Sequence, residues 1–163
     1  MRVDVSNALS PTCADCMSRD VVVIEPRRPL MEAARLMREL DVGAIPVCQG
    51  SLALAGLAGM ITDRDIVVRV IAEDLDCERV EVGEVMSSPV IYCFEDESPW
   101  QALHLMEQHG VRRLPVVARH EKSIVGLVSM SDLSQIEVID HMPQKWSERV
   151  VQVIAAHQRW RML

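Results

Sequence analysis

The sequence predicts an α+β fold: two β-α-β-β-α repeats packed around a pseudo-two-fold axis, followed by a C-terminal helix. Three observations carry that expectation. The 163 residues are 49% hydrophobic and 25% charged, ordinary proportions for a globular chain that buries a core. The second half repeats the first at a nearly fixed offset. Within each half, short apolar runs alternate with a segment whose apolar residues recur at helical spacing.

The repeat is read residue by residue. An offset of 69 lays Met17-Ser18 on Met86-Ser87, Val21 on Val90, Ala33 on Ala102, Leu36-Met37 on Leu105-Met106 and Pro46-Val47 on Pro115-Val116. Beyond that point the offset falls to 67, so that Gly59-Met60-Ile61-Thr62 lies on Gly126-Leu127-Val128-Ser129 and Asp65-Ile66 on Asp132-Leu133. A two-residue change in one loop accounts for the slip.

Each copy opens on a short apolar run, Val21 to Ile24 or Val90 to Cys93, bounded by charge or proline as a buried strand is. A helix follows, its buried stripe formed by Leu30, Ala33, Ala34 and Met37 and matched by Ala102, Leu103 and Met106. Two strands around a turn come next: Ala44 to Val47 with Leu54 to Ile61, and Arg113 to Val117 with Ser123 to Val128. A second helix opens at Asp63 or Met130. The turn at 50–56 is unusually apolar for a hairpin, which predicts burial or contact with a partner.

These signals divide the chain into repeat 1 over 12–72, an acidic linker over 73–81, repeat 2 over 82–140 and a C-terminal amphipathic helix over 143–162. The acidic run (Glu73, Asp74, Asp76, Glu78, Glu81, Glu84) reads as a solvated face or an acidic docking site. In the C-terminal segment, Trp146, Val150, Val153, Ile154, His157 and Trp160 form a stripe at helical spacing. That stripe suits packing on its own domain or pairing with a second subunit.

Composition excludes several functions. A net charge of −7 and 3% aromatic residues argue against a nucleic-acid binder, although a local basic site remains open. No apolar run reaches the roughly 20 residues of a membrane span, and 1–10 lacks the apolar core of a signal peptide. Five scattered cysteines then read as reduced thiols in a cytoplasm. Cys13-x-x-Cys16 aligns with Val82 and Val85 in the other copy, which marks both thiols as core rather than metal ligands. The histidines show no metal spacing, no phosphate-loop or nucleophile-elbow motif is present, and no acid/base pair stands out. No catalytic residue and no metal site is expected.

The pair Thr62-Asp63-Arg64-Asp65 and Ser129-Met130-Ser131-Asp132 carries the most information. Both copies sit at a strand-to-helix turn. S/T-x-x-acid is a helix capping box, and the same residues also suit a nucleotide site. A carboxylate on the first helical turn can accept hydrogen bonds from both hydroxyls of a ribose diol, each charge-assisted bond worth roughly 1.5–3 kcal/mol. Thr62 or Ser129 and the free amides of the helix start can meet a phosphate, with Arg64 and Ser131 as further donors. Arg112 and Arg113 are either an edge charge or a phosphate clamp.

The chain resembles a tandem pair of CBS domains (a Bateman module) over roughly Thr12 to Leu133. The likeness rests on 14–23, 29–37, 42–47 and 59–66, with the same series in the second copy through 126–133. The resemblance implies a stand-alone, non-enzymatic regulatory sensor that binds AMP, ADP, ATP or S-adenosylmethionine in the clefts between repeats and signals to a partner by conformational change. By position, Asp65 and Asp132 would hold ribose, with Thr62 and Ser129 at ribose or phosphate. Adenine would lie between Val23 or Tyr92 and the segments Ile45-Pro46 or Leu114-Pro115. The resemblance further implies a homodimer and a regulated protein of unknown identity. Where the first copy has Gly43-Ala44 the second has Arg112-Arg113, so the two clefts should differ in phosphate affinity. The alternative is a structural dimerisation module whose S/T-x-x-D copies only cap helices.

Overall fold

The computed structural model describes residues 11–134; the C-terminal helix expected over 143–162 lies outside them. Thirteen elements are found, eleven of which take labels. They are α1 (Cys13–Cys16), α2 (Leu30–Leu40), β1 (Ala44–Cys48), β2 (Leu57–Thr62), α3 (Asp63–Arg69), α4 (Val82–Val85), β3 (Cys93–Phe94), α5 (Pro99–His109), β4 (Arg113–Val117), β5 (Ile124–Ser129) and α6 (Met130–Ser134). Two 3-10 turns, Leu54–Gly56 and Ile71–Glu73, complete the set.

The long helices form as the spacing predicts. Leu30, Ala33 and Met37 on α2 and Ala102, Leu103 and Met106 on α5 are buried, each larger side chain stabilising the fold by about 1.5–3 kcal/mol. Ser98 caps α5 with Pro99 at its first position, and Gly110 closes it at φ 64°, a left-handed conformation that glycine adopts without a Cβ penalty. Asp41 closes α2 in the same region of backbone space, where a short polar side chain is tolerated.

The hairpins repeat each other in detail. β1 pairs antiparallel with β2, Ile45 opposite Ile61, and β4 with β5, Leu114 opposite Val128. Both ladders break register at the same place, Val47/Cys48 and Val116/Val117. The longer connection in the first half contains the Leu54–Gly56 turn, which places the two-residue slip of the repeat.

The opening strands are shorter than the apolar runs predict. Only Ile24 of the first run joins the sheet, by a parallel bridge to Val47, and the second strand is Cys93–Phe94, parallel to β4. Val22 is exposed, so the run is a wall rather than a ladder strand.

The two halves exchange their first helices. Val82 and Val85 of α4, with Met86, complete the first core around Leu30, Ile45 and Ile61. Cys13 and Met17 sit instead in the second core with Cys93, Leu114 and Val128. Backbone bridges follow the same crossing, Met60 with Ser87 and Leu127 with Ser18. The apolar 50–56 turn spans the halves as well: Leu54 N–H donates to the Lys122 carbonyl at 2.6 Å and Ile124 N–H to that of Leu52 at 2.8 Å.

Candidate functional site

Both S/T-x-x-D motifs sit where a strand delivers a helix. β2 ends at Thr62 and α3 begins at Asp63; β5 ends at Ser129 and α6 begins at Met130. Thr62 donates from its backbone N–H (2.9 Å) and its hydroxyl (2.6 Å) to Asp65 Oδ2, and its hydroxyl oxygen accepts from Asp65 N–H at 3.2 Å. Ser129 repeats this with Asp132 Oδ2 at 2.7 and 2.7 Å, and accepts at 3.3 Å. Both motifs are therefore capping boxes.

Capping is general in this chain. Thr12–Asp15 forms the same box on α1, Glu81–Glu84 on α4 and Ser98–Gln101 on α5. Thr12-x-x-Asp15 is a third copy of the motif, legible in the sequence but outside the register that relates Thr62-x-x-Asp65 to Ser129-x-x-Asp132. The Thr12 backbone N–H holds the Asp15 carboxyl below its ordinary range, with the Thr12 hydroxyl as the second cause.

The paired carboxylates differ in their second oxygen. Asp65 is 9% exposed, and its Oδ1 lies 3.5 Å from both Arg69 Nη2 and Ser87 Oγ. Arg69 in turn donates to the Val85 carbonyl at 2.6 Å, so this carboxylate ties α3 to α4. Asp132 is half-buried, and among the described residues its Oδ1 takes no such contact.

The expected basic residues are exposed: Arg64, Arg112 and Arg113 all face outward, as does Ser131. Arg113 crosses to the other half. A Cβ on Gly43 would stand 2.9 Å from Asp63 Oδ2 and 3.4 Å from Arg113 Nη1. The missing side chain at Gly43 thus leaves the gap that brings the Arg113 guanidinium to the start of α3.

An open cleft of about 600 Å³ separates the halves, lined by Leu54, Leu57 and Ala58 on one side and Ser88, Pro89, Val90 and Tyr92 on the other. Tyr92 stands edge-on to Phe94 at 5.6 Å, and the Arg119 guanidinium lies 3.9 Å over the Phe94 ring. Asp96 accepts from Arg119 at 2.8 Å, which keeps the Asp96 carboxyl below its ordinary range. Cys93 pairs with Val116 and Arg113 with Ser129, so β4 lies between β3 and the strand that ends at the Ser129–Asp132 cap.

Not every expected pocket residue faces this cleft. Ile45 and Leu114 point into the two cores, whereas Pro46 and Pro115 occupy the opposite faces of the same strands. Val23 is half-buried and is not among the residues that line this cleft. Leu54, Leu57 and Ala58 were not singled out as pocket residues; the apolar character of the 50–56 turn was the signal that points to the first of them.

Among the described residues, no three His, Cys, Asp or Glu side chains cluster closely enough to hold a metal, and no helix is long and apolar enough to cross a membrane. Cys13 is buried and Cys16 half-buried in the second core. Burial pushes the Cys16 thiol up to about 11.

The family model for the CBS domain matches this chain twice, over residues 13–72 and 82–138. Hypoxic response protein 1 of Mycobacterium tuberculosis is 34% identical over 145 residues, covering 89% of this chain and 92% of that protein. Among solved structures, Hypoxic Response Protein I with two coordinated zinc ions superposes at a TM-score of 0.66, with 35% identity over 77% of this chain and 98% of that one. The CBS domain pair of protein MJ0100, in complex with 5-methylthioadenosine and S-adenosyl-L-methionine, superposes at 0.68 with 24% identity over 78% and 95%; this likeness is one of fold.

Proposed function

This chain belongs to the CBS-domain family, and from that membership we propose that it is a non-enzymatic regulatory module that binds an adenosine-containing ligand between its repeats. The observation that carries the reading is the cleft at Tyr92, on the half that also holds Arg113 and an Asp132 carboxylate whose second oxygen takes no contact among the described residues. Adenine would rest between Tyr92 with Pro115 and the Leu54–Ala58 wall. The ribose hydroxyls would meet Asp132 Oδ1, and Arg113 would neutralise a phosphate or carboxylate. In the first half, Asp65 already has Arg69 and Ser87 on its second oxygen and Gly43-Ala44 in place of the arginines. The second-half site is therefore the stronger. The MJ0100 pair, alike in fold, was solved in complex with 5-methylthioadenosine and S-adenosyl-L-methionine, and this supports the reading.

Calorimetry with AMP, ADP, ATP and S-adenosylmethionine tests the reading. Binding of one of them, abolished in Asp132→Ala and weakened in Arg113→Ala, is the expected result. At 100 times its dissociation constant the ligand should stabilise the fold by about 2.7 kcal/mol. No heat and no thermal shift with any of the four would overturn it. The reading is completed by a homodimer, a regulated protein that responds to the ligand, and a cytoplasmic setting; light scattering tests the first of these.

A second reading is a structural dimerisation module with no nucleotide ligand. It is favoured by the capping boxes at Thr12, Glu81 and Ser98, since this chain uses the same arrangement at residues that do not line the cleft at Tyr92. Under that reading Asp132→Ala would lower stability and leave oligomeric state as the only function to measure.

A further inference from the structure

Three of the five cysteines share one core. Cys13 and Cys93 are buried in the second half, and Cys16 is half-buried against the same cluster. The repeat supplies an internal control for these positions. At the offset of 69, Cys13, Cys16 and Cys93 fall on Val82, Val85 and Ile24, and those three side chains are buried together in the first core. The fold fills the same space with branched apolar residues, so packing alone does not call for sulfur in the second half. Two of the sulfurs are also in contact: the Cys93 thiol donates a hydrogen bond to the Cys13 sulfur. Cys13 Sγ lies 3.8 Å from the Ser98 carbonyl and Cys93 Sγ 3.9 Å from that of Pro115. The backbone holds the pair in place. Cys13 N–H donates to the Glu97 carbonyl at 2.8 Å and Ala14 N–H to that of Glu95 at 3.0 Å, which seats α1 on the chain leaving β3. The bond from Cys93 lowers the Cys13 thiol below its ordinary value and raises that of Cys93, with burial adding to the rise. Cys13 is thus disposed to act as the thiolate and Cys93 to keep its proton.

We propose that Cys13 and Cys93 form a reversible disulfide, a redox site that exchanges with a low-molecular-weight disulfide. The exchange balances in two steps. Cys13 sulfur attacks the reagent disulfide, whose sulfur–sulfur bond breaks; a mixed disulfide forms on Cys13, and one reagent thiol leaves with the Cys13 proton. Cys93 sulfur then attacks the Cys13 sulfur, the Cys13–Cys93 bond forms, and the second reagent thiol leaves with the Cys93 proton. Two electrons pass to the reagent, and a dithiol reverses the sequence. Both sulfurs are shielded, so the first step follows local opening of α1, a helix of only four residues. The product closes a loop of about 80 residues and ties the start of the chain to the strand that follows Tyr92, across the crossing that α1 already makes. A loop of that length is one whose closure restricts the unfolded chain strongly.

The test incubates the reduced full chain with oxidised glutathione and reads intact mass, peptide maps without reductant, and melting temperature. The wild type should lose two hydrogens, yield a linked pair of peptides containing Cys13 and Cys93, and melt about 5–15 °C higher. Dithiothreitol should reverse all three changes. Cys13→Val and Cys93→Ile place the first half's own residues at these positions, so both should fold and neither should gain the link or the shift. Cys16→Val should keep both. The wild-type map decides the matter even if a variant fails to fold. Three results would overturn the proposal: no Cys13–Cys93 link in the wild type, with glutathione left as an adduct or Cys13 joined to Cys16 instead; a link that forms only when urea has unfolded the chain; or a link that leaves the melting temperature unchanged or lowers it, which would mean that the folded core does not admit the bond.

Discussion

Met86 lies so close on Gly59 that a Cβ on the glycine would overlap the methionine sulfur, and Met17 lies on Gly126 in the same way. Each contact fastens one half to the helix that the other half's sequence supplies. The clash extends to Met86 Cγ at 2.8 Å and Cβ at 3.1 Å, so rotation of the methionyl end does not relieve it. Gly59→Ala should therefore destabilise the protein by about 1–3 kcal/mol in urea denaturation. Combining it with Met86→Ala should remove most of that added cost in a double-mutant cycle.

The boxes can be ranked by burial. Thr62→Ala removes the acceptor for Asp65 N–H and the hydroxyl donor to a 9%-exposed carboxylate, leaving it the Thr62 backbone N–H. It should cost about 1–2 kcal/mol, toward the upper end for a helix cap. Thr12→Ala acts on the exposed Asp15 pair and should cost about 0.5–1 kcal/mol by the same measurement.

The exchange of helices makes the sequence repeats poor folding units. A fragment of 12–81 lacks Val82 and Val85, each worth about 1.5–3 kcal/mol of burial, against net stabilities of about 5–15 kcal/mol. A fragment of 19–87 keeps both. The second should unfold cooperatively in urea where the first shows no sharp transition.

Ionisation sets the limits at both ends of the pH scale. Hydrogen bonds from Thr12 and Arg119 lower the Asp15 and Asp96 carboxyls on folding. Their support is present above the unfolded value near 3.9 and is lost as pH falls through the lower folded values. Asp15→Asn and Asp96→Asn should accordingly flatten the decline in melting temperature below about pH 4. Cys16, raised to about 11 by burial, behaves in the opposite sense: its support is full below about pH 8.5 and disappears as pH rises toward 11. Alkylation of the native protein at about pH 8, mapped by mass spectrometry, should leave Cys16 and the buried Cys13, Cys48 and Cys93 unmodified while Cys77 reacts first.

Repetition made most of the architecture legible. Leu30, Ala33 and Met37 announced α2, and Ala102, Leu103 and Met106 announced α5, because spacing is a local property. α1 and α4 were not legible as helices, since four residues are too few to show a period. Only the alignment of Cys13 and Cys16 with Val82 and Val85 marked them as buried. That they are buried in each other's half is a long-range fact with no local signature. The same holds for the site. Thr62 and Asp65 could be picked out by motif, but whether a second carboxylate oxygen is taken depends on Arg69 and Ser87, which come from elsewhere on α3 and from beyond the linker. The 50–56 turn reaches 122–124 of the other half through backbone hydrogen bonds, which no side-chain pattern announces, and Leu52 stays exposed; Val21–Ile24 is apolar without being a full strand, since only Ile24 finds a partner.

The crossing of α1 has a consequence for synthesis. It is the first described element to leave the ribosome, yet its partners Cys93, Leu114 and Val128 are among the last. Domains tend to complete themselves from the N-terminus as they emerge. Here the first half can close once Met86 is out, while Cys13 and Met17 stay exposed until β5 is made. The nascent chain thus carries an unsatisfied apolar hook for most of its translation, and that interval is where a chaperone or a neighbouring nascent copy would compete for it.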